Sequence, residues 1–260
     1  MKRTWIASLV SLCCFAALPA LAQTAANISV RGAVAQPGEF SWQSGTRLLN
    51  ASIAANVNHD AWYQGAALLR KSAMRDQQKL KRGLLFDLQT ANVNARALGL
   101  AGTSELLNQW ERRIAGTAVT GRIAAELNPL KQRLLAFNPL LEPGDQIIYP
   151  NRSHQVRVLG AVQQDCVLEF APTLDPLDYR EACPLHEAAN SQYLYIIQPD
   201  GKVELIGTAY WNAEDAWVAV GALLYVPFKS ALFGTSRDEF NNEMAQWLAT
   251  QYELTGGYHE

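Results

Sequence analysis

The sequence predicts an α+β protein of two β-grasp-like domains, with a helical hairpin inserted in the first and an amphipathic helix at the C-terminus. Three observations predict it. The pattern Val30-Arg31-Gly32-Ala33-Val34 returns as Val158-Leu159-Gly160-Ala161-Val162, about 130 residues later, and repetition at that spacing points to two copies of one small unit. Between the copies, Leu80, Leu84, Leu88, Ala91, Ala95 and Leu98 are spaced three and four apart, which is one face of a helix. Near the end, Phe240, Met244, Trp247, Leu248 and Tyr252 mark a single apolar stripe.

The chain opens on a leader. Lys2 and Arg3 precede an apolar core from Ile6 to Leu18, and Ala20-Leu21-Ala22 fits small-residue cleavage before Gln23. Residues 1–22 are therefore expected to be a signal peptide and the protein to be periplasmic. A retained anchor is the alternative, although the run is short for a spanning helix. Cys13 and Cys14 sit inside that core. Loss of Lys2 and Arg3 takes the formal charge from −2 to −4.

The first domain is placed at 23–150. Ile28 to Ala35 alternates as a half-buried strand does. Pro37-Gly38 turns the chain into Glu39 to Trp42, and Thr46 is expected to cap a short helix. Ala67 to Leu69 reads as a strand. The hairpin follows, over about 73–116: Gly99 closes the first helix, Thr103 or Ser104 caps the second, and Gly116 stops it. Val119 to Ala125 returns to alternation, and Pro143-Gly144-Asp145 turns into a strand from Gln146 to Tyr149.

The second domain, 151–232, repeats the order. Strands are expected at Gln155–Val162 and Val167–Phe170, a helix near Leu177–Ala182, and a strand at Tyr193–Gln198. Pro199-Asp200-Gly201 is a hairpin turn into Lys202–Ile206, and a last strand is Leu223–Val226. Residues 233–260 hold the C-terminal helix and tail. Ser236 and Glu239 read as its capping box. Its polar face is Asn241, Asn242, Gln246 and Thr250, and Gly256-Gly257 ends it. The apolar stripe either packs on the second domain or serves as a partner helix, docking on a protein or a membrane surface.

Bulk properties exclude some functions. The pI near 6.1 leaves no basic footprint for nucleic acid. No later stretch is long and apolar enough to cross a membrane. His59, His154, His186 and His259 are scattered, no nucleophile elbow or phosphate loop is present, and neither a cofactor nor a metal is expected. Asp60, Asp87 and Asp145 fall beside turns or on helix faces, where solvation explains them. Cys166 and Cys183 remain after the leader; in an oxidising compartment such a pair bridges, or else forms two buried thiols.

Candidate binding residues are few. In Thr120-Gly121-Arg122 a guanidinium follows a residue without a side chain, which allows close approach of a ligand or another backbone. A surface arginine on a strand edge is the plain alternative. Trp62-Tyr63 and Tyr210-Trp211 are either sugar-stacking platforms or half-buried lids.

The order of these parts resembles the GfcC family of group 4 capsule biosynthesis, and its units resemble the soluble-ligand-binding β-grasp (SLBB) modules of Wza-type export proteins. The residues that carry it are Val30–Phe40, Thr120–Arg122, Pro143–Pro150, Val158–Val162 and the Val226-Pro227-Phe228 to Leu232-Phe233-Gly234 run. The second unit departs from the pattern, with Asp165-Cys166 in place of Pro-Gly. The resemblance implies a periplasmic accessory protein of capsule or exopolysaccharide assembly or export. It would bind polysaccharide, an outer-membrane polysaccharide export protein, or both, and Arg122 becomes the leading pocket residue. A polysaccharide-modifying enzyme with an arginine pocket and a purely structural adaptor are the rival readings.

Overall fold

The computed structural model describes residues 27–234 and 239–252. The leader, the Ser236 half of the capping box and the Gly256-Gly257 tail lie outside them. Two five-stranded mixed sheets form. The first contains β1 (Asn27–Gly32), β2 (Gly38–Ser41), β3 (Ala67–Leu69), β4 (Arg122–Ile123) and β5 (Gln146–Tyr149), with helix α1 (Leu48–Ala54) between β2 and β3. The hairpin helices α2 (Met74–Ala97) and α3 (Ala101–Gly116) lie between β3 and β4. The second contains β6 (Gln155–Gly160), β7 (Cys166–Glu169), β8 (Tyr193–Ile197), β9 (Val203–Gly207) and β10 (Leu223–Val226). Helix α4 (Pro176–Glu181) follows β7, and α5 (Glu239–Ala249) closes the described chain.

The sheets match strand for strand. Their orders are β2-β1-β5-β3-β4 and β7-β6-β10-β8-β9, and the central pairs β1–β5 and β6–β10 are both parallel. The doubled pattern has a physical cause in that pairing. Gly32 and Gly160 end their strands at φ +94° and +114°. A Cβ there would stand 1.9 Å from the Tyr149 carbonyl oxygen and 2.2 Å from that of Val226. With no side chain in the way, Ala33 N–H donates to Tyr149 O at 2.7 Å and Ala161 N–H to Val226 O at 2.9 Å. Each glycine thus lets the chain wrap the end of the neighbouring parallel strand.

Several element ends differ from expectation. Thr46 does not cap α1; its Oγ1 accepts from Gln43 N–H at 3.1 Å, closing the preceding turn, and Arg47 takes the cap. Helix α3 begins before Thr103 and Ser104, whose hydroxyls donate instead to Glu187 at 3.2 Å and Asn92 at 2.5 Å. Helix α4 is capped by Asp175, which accepts from Leu177 and Asp178 N–H. The alternation over Val119–Ala125 yields only the two-residue β4.

The hairpin is inserted between two strands of the first sheet but packs on the second. Its face, with Leu84, Leu88, Ala91, Leu107, Trp110 and Ile114, shares one core with Val156, Val158, Leu194 and Leu224 of the second sheet. Trp110 Nε1–H donates to Gly160 O at 3.0 Å. The first sheet keeps a smaller core around Ile28, Val30, Leu48, Leu68, Ile147 and Tyr149. At the equivalent point of the second sheet, β8 and β9 are joined by a tight turn, closed by Gly201 N–H to Gln198 O at 2.8 Å.

Helix α5 joins the same large core. Phe240, Met244, Trp247 and Leu248 are buried in it, and Tyr252, beyond its end, is half-buried, so the stripe packs within the chain's own core. Asn241 corrects the expected polar face. Its side chain is buried, accepting from Tyr225 Oη–H at 2.8 Å and Phe228 N–H at 2.9 Å and donating to Phe228 O at 2.9 Å. Among the described residues no helix is long and apolar enough to cross a membrane.

Candidate functional site

The loops that join these elements leave a cleft of about 740 Å³ between the two units. Three stretches of the first unit wall it: the loop around Trp62 and Tyr63 before β3, the segment around Glu126 and Lys131 after β4, and the turn at Phe137. Arg152 lies on the connection between the units, and the β8–β9 turn Asp200-Gly201-Lys202 supplies the second unit's wall.

Trp62 reaches the cleft from a buried position, with 6 % of its surface exposed. Its ring covers Gly65, where a Cβ would come within 2.2 Å of the indole. Its Nε1–H is buried and has no partner among the described residues. Tyr63 is half-buried; its hydroxyl donates to Asn58 O at 2.9 Å, and its ring stands edge-on to Tyr149 at 6.3 Å. Burial, aided by the charge of Asp60, raises the Tyr63 pKa and keeps the phenol neutral.

The cleft's charges are largely paired on its own walls. Lys131 meets Glu126 at 3.0 Å and Lys202 meets Asp200 at 2.9 Å. The hydrogen bond to Asp200 raises the Lys202 pKa, so its ammonium persists. Trp62, Tyr63 and Phe137 thus share the lining with carboxylates and ammonium groups. That mixture suits a ligand with apolar ring faces and many hydroxyls.

Thr120, Gly121 and Arg122 lie behind the cleft and not in it. Thr120 Oγ1–H donates to Thr250 O at 2.7 Å. Gly121 sits at φ +75°, where a Cβ would be 2.4 Å from Arg70 O. Gln77 of α2 clasps the motif, accepting from Gly121 N–H and donating to Arg122 O, each at 2.8 Å. The Arg122 side chain is 6 % exposed. Its guanidinium donates to Ala249 O at 3.2 Å, to Ala66 O at 3.4 Å and to Pro199 O. Desolvation, opposed by Asp200, lowers its pKa to about 10. The glycine thus admits another backbone, the second of the two possibilities its place beside Arg122 raised.

A buried ion pair escaped the sequence reading. Asp145 is not solvated as expected: it is 1 % exposed and is held by Arg70 Nη2 at 2.7 Å and Nε at 3.1 Å. The same carboxylate accepts Glu142 N–H at 2.8 Å, which fixes the Pro-Gly-Asp turn. The signal was present in the motif, since an Asp closing a turn accepts backbone N–H groups; its partner 75 residues earlier was not legible.

Cys166 and Cys183 form the disulfide, with Cα atoms 6.0 Å apart, tying the edge strand β7 to the end of α4. Tyr210 and Trp211 are exposed after β9, at the end of the sheet opposite the β8–β9 turn. They are not brought together with Trp62 and Tyr63.

Residues 165–252, from the edge strand β7 through α5, match the family described as capsule biosynthesis GfcC C-terminal. The chain is also similar to an uncharacterized protein of Escherichia coli strain K12, YjbG. The two are 23 % identical over 190 residues, covering 73 % of this chain and 76 % of that one.

Proposed function

We propose that this chain, a GfcC-type capsule-biosynthesis protein over residues 165–252, is a periplasmic accessory of capsule or exopolysaccharide assembly or export that binds polysaccharide between its two units. The observation that carries this reading is the cleft of about 740 Å³, in which Trp62, Tyr63 and Phe137 stand among Glu126, Lys131, Asp200 and Lys202. A sugar ring has an apolar face that an aromatic edge covers and hydroxyls that charged side chains bind. The leader sequence and the Cys166–Cys183 disulfide support export to an oxidising compartment. Arg122, buried, donating to three carbonyl oxygens and absent from the lining of the cleft, is not offered to an acidic sugar, which weighs against an arginine-dependent enzyme.

The test is titration calorimetry with oligosaccharides cut from the producing cell's own capsule. Tyr63→Ala and Lys202→Ala are each expected to weaken binding by about tenfold, equivalent to about 1.4 kcal/mol. Absence of saturable binding, with retention of an outer-membrane export protein on the purified chain, would replace this reading with that of an adaptor.

A further inference from the structure

We infer that Arg122 is a latch between the two units, holding the β8–β9 turn of the second against the first and so setting the width of the cleft. Three carbonyl oxygens converge on its guanidinium from parts of the chain far apart in sequence. Ala66 precedes β3 in the first sheet, Pro199 opens the β8–β9 turn, and Ala249 ends α5. No carboxylate lies within ion-pair distance of Arg122 among the described residues. A planar fork of five donors spans three acceptors spread around it, whereas the three donors of a lysine ammonium radiate from one nitrogen on a flexible stem. The α5 carbonyl carries the partial negative charge of a helix C-terminus, which compensates a cation without a counter-ion.

The turn is also shaped to receive the latch. Gly201 stands at φ +86°, and a Cβ on it would lie 3.8 Å from Arg122 Cζ and 3.5 Å from Ala249 O. The neighbours of that turn residue, Asp200 and Lys202, face the cleft. A second contact runs beside the first, from Thr120 Oγ1–H to Thr250 O at 2.7 Å. Arg122 is therefore a positioning residue: it does not line the cleft, yet it holds one wall of it and the end of α5 to the first sheet. The geometry is independent of what the cleft binds; only its consequence for a polysaccharide rests on the function proposed above.

The test measures the cleft directly. In the full chain carrying Cys13→Ser and Cys14→Ser, nitroxide labels are attached across the cleft at Lys131→Cys and Lys202→Cys. A second pair goes within the second sheet, at Glu169→Cys and Glu204→Cys. Double electron–electron resonance then reads both distance distributions. Arg122→Ala is expected to lengthen and broaden the distribution across the cleft and to leave the one within the sheet unchanged. Arg122→Lys should fall between. An unchanged distribution across the cleft in a folded Arg122→Ala protein overturns the latch. So does loss of both distributions in Arg122→Ala and Arg122→Lys alike, which would make Arg122 a general requirement for folding. Because no sugar enters the experiment, its failure is separate from a failure of polysaccharide binding.

Discussion

At Gly32 and Gly160 a single missing methyl group decides whether a parallel strand pair can be wrapped. Any β-carbon there meets a carbonyl oxygen at 1.9 or 2.2 Å, and the positive φ adds strain for an L side chain. Gly160→Ala is expected to destabilise the protein by about 3 kcal/mol or to abolish folding, read from the urea midpoint; an unchanged midpoint would show that the strand end can shift freely. Asn241 is a second such position. Its one side chain serves Tyr225 Oη–H, Phe228 N–H and Phe228 O. Asn241→Ala removes those three hydrogen bonds from the buried core, and a loss of about 2–3 kcal/mol is expected from the same measurement. Neither effect is readable from residue type. The glycine repeat was visible as a pattern, but its reason lies in a strand more than 60 residues away. Asn241 has the polarity of a surface residue and the place of a core one, because a helix face is defined by its neighbours and not by its own composition.

At the scale of elements, the periodic signals and the glycine stops at Gly99 and Gly116 held, and the N-terminal caps slipped. Five turns of spaced apolar residues located α2, alternation located β1 and its repeated pattern located β6, since a long repeat averages over local exceptions. Caps were misassigned at α1 and α3, where Thr46, Thr103 and Ser104 use their hydroxyls elsewhere; a hydroxyl has several backbone partners within reach, and only geometry selects one. The contact between α2 and α5 carries an electrostatic cost of its own. Asp87 on α2 is raised in pKa by burial first and by Glu239 second. Glu243 on α5 is raised by burial and then by Asp87 and Glu239. A carboxylate whose folded pKa exceeds its unfolded one binds more protons when folded, so this contact strengthens as pH falls through the folded pKa and is weakened fully above it. Asp87→Asn is therefore expected to raise the melting temperature at neutral pH, with the gain shrinking toward about pH 4, where carboxylates protonate. A gain that is the same at both pH values would assign the effect to something other than charge. The disulfide joins β7 to α4 across 17 residues, and its removal by Cys166→Ser with Cys183→Ser should cost roughly 3 kcal/mol in denaturant unfolding.

On the scale of the whole molecule, the two units are not independent. The hairpin leaves the first sheet, covers the second and returns, and α5 packs in that same core. Trp110→Ala, though it lies in the first half of the chain, is expected to remove about 3–5 kcal/mol of stability and to perturb the amide signals of β6 and β10 more than those of β1 and β2. A perturbation confined to the first sheet would contradict the shared core. The cleft follows from the same arrangement, since its walls come from both units and are held together by Arg122, Thr120 and the packed helices.

Reading the chain in order was enough to recover the two equivalent strand sets, the hairpin's point of insertion, the apolar stripe of α5 and the cysteine pair. Those features rest on local period, turn chemistry or composition, which act between near neighbours. Tertiary structure alone assigned the hairpin's buried face to the second sheet, brought Thr120 and Arg122 to the carbonyl oxygens of Thr250, Ala66, Pro199 and Ala249, buried Asp145 against Arg70 and opened the cleft. Each of these depends on which distant backbone or side chain completes a hydrogen bond or fills a volume, and no spacing along the sequence encodes that partner.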